Sequence, residues 1–197
     1  MTAFTDRLDA VYQITNRPDL VADTGAMVKA ATLKAHSSDF YPKDMFEVYL
    51  SFDVSAYLQE FEYRTSIPRY RALKYIRKYD SVSDTPLNFF DVITPEQVLN
   101  GYGVQRDDVV YLAGELLKIR SSTLFDYALF GCYVHPNTTA DAYSSWIAME
   151  YPMLIDFLAA AQVFKMIGHD EQASFYDREA AQLLLEMKNS NIVAVGY

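Results

Sequence analysis

One segment constrains the fold of this chain more than any other. From Tyr151-Pro152 to Ile167, apolar residues (Met153, Leu154, Ile155, Phe157, Leu158, Val163, Phe164, Met166 and Ile167) lie nearly all round a helix. One packed face cannot hide them, so the helix must be central to a bundle or sit at an interface. It is no membrane span. Its most apolar run, Met153 to Ile167, contains Asp156, Gln162 and Lys165 and stops at Gly168, short of the roughly 20 residues a bilayer needs.

Other helices are expected around it. Gly168 reads as the residue that ends it. A following helix from Asp170 to about Lys188 carries Ala173, Tyr176, Ala180, Leu184 and Met187 as a stripe and should pack antiparallel on it. A shorter helix is expected from Asp141 to Met149, after His135-Pro136. At the other end, Phe4, Leu8, Val11 and Tyr12 have helical spacing. Asn16-Arg17-Pro18-Asp19 then leads into a helix with Leu20, Met27, Ala31 and Ala35 on one stripe, ending near His36-Ser37-Ser38.

The middle of the chain changes period. Phe46, Val48, Leu50 and Phe52 alternate with Glu47, Ser51 and Asp53, as in a half-buried strand. Val109–Leu112 and Leu116–Ile119 flank Ala113-Gly114, where glycine suits a hairpin turn. Thr94-Pro95-Glu96-Gln97 has capping-box spacing and predicts a short helix to Asn100-Gly101. The segments from Asp80 to Asp91 and from Arg120 to Leu124 read as loops. The expected fold is α+β, mainly α: a bundle of N- and C-terminal helices with a small antiparallel β-sheet or hairpin inserted. We expect one domain over residues 1–189, because 197 residues suit a single core.

Composition excludes several functions. With 17 basic and 26 acidic residues the chain carries a net charge of −9, which disfavours broad binding to nucleic acid or anionic lipid. The lone Cys132 permits no internal disulfide, suits a reducing cytoplasm and reads as a buried apolar residue. The N-terminus has no apolar core of a signal peptide. His36, His135 and His169 are far apart in sequence and lack any HExxH or CxxC company. His36 reads as a surface residue at a helix end, although folding could bring it to Asp39 and Asp44. There is no phosphate loop and no G-x-S-x-G elbow. Acid pairs such as Asp107-Asp108 and Asp170-Glu171 read as solvated or helix-dipole groups. The expectation is a protein with no catalytic residue, metal or cofactor.

Three features remain. The chain holds 16 Tyr, 12 Phe and one Trp, a composition suited to interfaces as well as to a Tyr-rich core. Six of its 17 basic residues, Arg64, Arg69, Arg71, Lys74, Arg77 and Lys78, fall in fifteen positions without an acid, interleaved with Tyr70, Tyr75 and Tyr79. This stretch reads first as a solvated strand or helix face, with phosphates or an acidic protein surface as the alternative contact. Finally, Asn189-Ser190-Asn191 precedes an apolar end of Ile192, Val193, Ala194, Val195, Gly196 and Tyr197. Residues 190–197 are expected to form an extended docking tail, with Ile192, Val193, Val195 and Tyr197 as contacts, on a partner or on its own domain.

In order along the chain, a set of segments resembles the head-to-tail adaptor proteins of tailed bacteriophages, also called head-completion or neck connector proteins. They are Asn16-Arg17-Pro18-Asp19-Leu20 with Ala35-His36; Asp44-Met45; Ile67-Pro68-Arg69-Tyr70-Arg71; Tyr111-Leu112-Ala113-Gly114; Tyr133-Val134-His135-Pro136; and Ser145-Trp146-Ile147-Ala148 leading into Tyr151-Pro152. The resemblance implies a ring of identical subunits, often twelve, docked on the portal protein and receiving tail, nozzle or tail-terminator proteins. DNA would pass through without sequence-specific contact. Such a protein is made in the host bacterial cytoplasm and resides at the head–tail junction of the virion. The alternatives are a cytoplasmic helical interaction module, regulatory or chaperone-like, and, third, a carboxylate-dependent hydrolase.

Overall fold

The computed structural model describes residues 3–51, 58–80, 85–99, 101–123, 125 and 127–195. The fold is α+β and mainly α, with six α-helices and two four-stranded sheets among the described residues. The chain divides into two compact units. One joins Met1–Asp44 to His135–Tyr197, and the other is the stretch inserted between them, Met45–Val134. The physical reason is that each unit has its own core: every member of one apolar cluster comes from the terminal segments, and every member of the other from the insert.

The terminal unit is helical. It contains α1 (Ala3–Thr15), α2 (Val21–Ser37), α4 (Trp146–Glu150), α5 (Pro152–Met166) and α6 (Asp170–Val195). Helix α5 is the apolar helix of the sequence, and it packs against all four others. Its successive Ala159, Ala160 and Ala161 are fully buried, small enough for neighbouring backbones to come close. Gly168, at φ 79°, ends it, with the Gly168 amide bonded to the Lys165 carbonyl and the His169 amide to the Phe164 carbonyl. The stripe Ala173, Ala180 and Met187 of α6 lies buried in the same core.

Two helical expectations need correction. The helix expected over Asp141–Met149 is a 3-10 turn at Ala140–Ala142 followed by α4, because Asn137 and Ser144 form a β-bridge that holds the intervening chain as a loop. Ser145 caps α4, its Oγ accepting the Ala148 amide at 3.0 Å. The break expected at Asn189–Asn191 does not occur, and α6 continues to Val195. Asn and Ser cost a helix only tenths of a kcal/mol each. Here the Ser190 hydroxyl folds back onto the Met187 carbonyl and meets the Tyr151 hydroxyl, while Met187 is buried and Lys188 bonds the Ser38 carbonyl.

The inserted unit holds two sheets around one core. The first has the order β1 (Met45–Ser51), β8 (Tyr127–Val134), β3 (Tyr70–Asp80), β4 (Thr85–Phe89), all antiparallel. The second has the order β2 (Leu58–Glu62), β7 (Leu116–Arg120), β6 (Val109–Ala113), β5 (Asp91–Val92), with only β5 and β6 parallel. A four-residue α3 (Tyr63–Ser66) joins β2 to β3. The β6–β7 hairpin turns as expected, on Gly114 at φ 65°. The segment read as a loop from Asp80 to Asp91 instead supplies β4 and the start of β5, anchored by the Phe90 amide on the Ile76 carbonyl. Thr94 does form its capping box with Gln97, yet the helix is a single 3-10 turn, Pro95–Gln97. Arg106 bonds back to Val98, and Leu99 bridges to Gln105.

Candidate interaction surface

Register decides what each face of the first sheet carries. Val48 and Leu50 on β1, Leu73 and Ile76 on β3, and Ala128, Phe130 and Cys132 on β8 belong to the core. Strand alternation sends their neighbours to the other face, which carries Tyr49, Tyr75, Arg77, Tyr79, Phe89 and Tyr127. These side chains form an array across the strands. Tyr49 meets Tyr79 edge-on with ring centroids 5.1 Å apart, and Tyr75 meets Phe89 at 5.7 Å. The Arg77 guanidinium lies 4.7 Å from the Phe89 centroid and donates to the Leu87 carbonyl at 2.9 Å. Tyr75 donates to the Glu47 carboxylate; burial first, then Glu47, pushes its pKa up to about 12, so it remains a donor. Despite these contacts Tyr49 and Phe89 are each 54% exposed, and Met45, Leu87 and Tyr127 are exposed with them. A patch of Tyr, Phe, Met and Arg has the composition of a protein interface.

A glycine makes the array possible. A Cβ at Gly131 on β8 would lie 2.4 Å from the Tyr75 ring, so the ring crosses β8 only because residue 131 has no side chain. Gly131→Ala should therefore cost about 1–3 kcal/mol in urea denaturation. In a Tyr75→Ala background the same change should cost close to nothing. Equal costs in both backgrounds would disprove the contact.

The basic stretch does not form one charged face. It spans α3 and β3, and its members go separate ways. Lys78 turns into the core at 4% exposure, where its ammonium meets Asp108, lies 3.2 Å from the Thr123 hydroxyl and sits over the Phe90 ring. Burial would raise the Asp108 carboxyl, but Lys78 and the hydroxyl and amide of Ser122 outweigh it and hold it at about 2. Arg69 occupies a left-handed turn position at φ 63°, and Lys74 is exposed where β3 bulges. Arg71, with Arg64, lines a cleft of about 490 Å3. Of the expected tail contacts, the backbone of Ile192, Val193 and Val195 belongs to α6, and Tyr197 lies outside the described residues.

In the helical unit, His36 is not the surface residue expected. It is 1% exposed. Its Nδ1 donates to Asp44 Oδ1 at 2.8 Å, and the Ser145 hydroxyl lies 2.9 Å from its Nε2. Trp146 Nε1 donates to the same Asp44 oxygen at 2.8 Å. An Asp–His–Ser relay of this order activates a serine where substrate can reach it. Ser145 is 4% exposed and its oxygen is already committed as the cap of α4, so the arrangement works as a buried clasp. Three segments of the adaptor resemblance, Ala35-His36, Asp44-Met45 and Ser145-Trp146, meet in it. Sequence reasoning allowed for His36 approaching Asp44 but missed Ser145 and Trp146, because the Ser145 hydroxyl that meets His36 lies 109 residues further along the chain.

A second buried group lies on α5. Asp156 pairs with Arg7 of α1 at 2.7 Å, yet burial outweighs the guanidinium and raises its pKa to about 7. Cys132 is buried, and burial lifts its thiol to about 11, far from a reactive thiolate. Among the described residues no group of three or more His, Cys, Asp or Glu could hold a metal ion, and no helix is long and apolar enough to cross a membrane. Neither a family model nor a curated protein matches the chain.

Proposed function

We propose that this chain is a non-enzymatic structural subunit that works by binding copies of itself and other proteins, in the manner of the phage head-to-tail adaptors it resembles. In this role twelve copies form a ring beneath the portal at the head–tail junction of the virion and receive tail or nozzle proteins. DNA passes through the ring without sequence-specific contact. The observation that carries the reading is the exposed aromatic array of the first sheet, which its own unit leaves open and which Gly131 is placed to allow. The order of elements supports it as well: an aromatic strand ending at Val134, a loop, Trp146, and the apolar α5 paired with α6. The net charge of −9 suits a lumen that must not grip DNA. Against the carboxylate-dependent hydrolase alternative stands the place of Asp156: the carboxyl that burial raises to about 7 is 5% exposed and paired with Arg7 in the helical core, and it does not line the cleft of the inserted unit.

Native mass spectrometry of the purified chain, alone and with a portal ring, tests this. The expected result is a closed ring that co-purifies with the portal. A chain that stays monomeric with the portal present would favour the helical interaction module instead.

A further inference from the structure

The inserted unit has a second feature that the aromatic array does not use, the cleft lined by α3, the start of β3, β5 with the residues after it, and β6. We propose that this cleft is the socket for an acidic, apolar segment of a second copy of this chain, an inference that rests on the ring reading above. Its volume of about 490 Å3 is in the range that encloses a small group of side chains. Leu73, Ile93 and Leu112 give it apolar walls, and Arg64 and Arg71 give it positive charge. Tyr70 also lines it, with a buried hydroxyl whose oxygen lies toward the Leu73 backbone and whose O–H reaches no acceptor in the chain. Burial holds that phenol at about 12, so it stays an O–H donor at neutral pH. Two guanidinium groups and a buried donor beside apolar walls fit a carboxylate carried next to an apolar side chain.

Charge complementarity points to this chain itself as the occupant. A phosphate backbone would use the arginines but not the apolar walls, and a chain of net charge −9 repels it. A second copy is acidic, and it offers segments of the required kind. At the start of α6, Glu171 and Phe175 are both exposed and one helical turn apart. That segment belongs to the helical unit, whereas the cleft belongs to the inserted unit. A contact between them is therefore head-to-tail, the type that closes into rings when repeated with a constant rotation.

The test uses the full chain. Arg64→Glu with Arg71→Glu should raise the concentration needed for half-assembly by roughly 100-fold in native mass spectrometry, with the melting temperature unchanged. Separately, a photo-crosslinking amino acid at Leu112 in the otherwise unaltered ring should attach to residues 170–175 of another copy. Assembly of the double variant like that of the parent, or a crosslink confined to the same copy or to DNA, would overturn the socket and leave the ring reading standing. A parent chain that never self-associates, alone or on the portal, would overturn both.

Discussion

Replacing Asp44 by alanine should cost the helical unit about 3–5 kcal/mol, because one carboxylate oxygen receives two buried donors. His36 Nδ1 and Trp146 Nε1 converge on Asp44 Oδ1, each at 2.8 Å. Removing that oxygen leaves two N–H groups in a site with little water to replace it, and each such orphan costs about 1–3 kcal/mol. Ser145→Ala is the comparison. It removes a helix cap and one histidine contact, worth about 1–2 kcal/mol. The chain has a single tryptophan, and it belongs to the clasp, so its fluorescence reports the result directly. Urea unfolding followed at Trp146 should show Asp44→Ala to be the more damaging change. A loss below about 1 kcal/mol, or a tryptophan emission indifferent to the substitution, would remove the clasp as a stabilising element.

Stability should also fall as pH rises from about 4 to about 7, and Asp156 is the cause. In the unfolded chain its carboxyl titrates near its ordinary 3.8; in the folded chain burial raises it to about 7, against the pull of Arg7. Between those values the folded state holds a proton that the unfolded state has lost, so raising the pH favours unfolding. At about 1.4 kcal/mol per pH unit, the difference reaches at most about 4 kcal/mol and is complete above pH 7. Tyr143, also raised by burial, stays neutral throughout this window. Asp156→Asn should therefore be more stable than the parent at pH 8 and similar to it near pH 4. Parallel stability curves for the two proteins across that range would show that the carboxylate is ionised, and comfortably so, inside the fold.

Local pattern was legible in the sequence, and distant pairing was not. The helices α1, α2, α5 and α6 are long enough for their period to be read, and the β6–β7 hairpin declares itself through Gly114. The two-residue β5 and the Pro86-containing β4 carry too little periodicity to be seen. Lys78 shows a deeper limit. A lysine in an alternating strand reads as outward-facing, and it is Asp108, thirty residues away, together with the Thr123 hydroxyl and the Phe90 ring, that makes its inward position tolerable. His36 is the same case, since no local rule ties it to Asp44 and Ser145. The candidate surface was half legible. Tyrosine excess suggested an interface, but the face on which Tyr49, Tyr75 and Phe89 gather depends on register and on Gly131.

The pairing of β1 with β8 sets Met45 directly opposite Tyr133, so the inserted unit begins and ends on neighbouring strands, its two ends about 5 Å apart. A segment whose ends meet in this way is portable. It can be exchanged for another sheet of different size, or excised and bridged by a few residues, without stretching the chain on either side. Sequence variation can then accumulate in the insert while the bundle keeps one design.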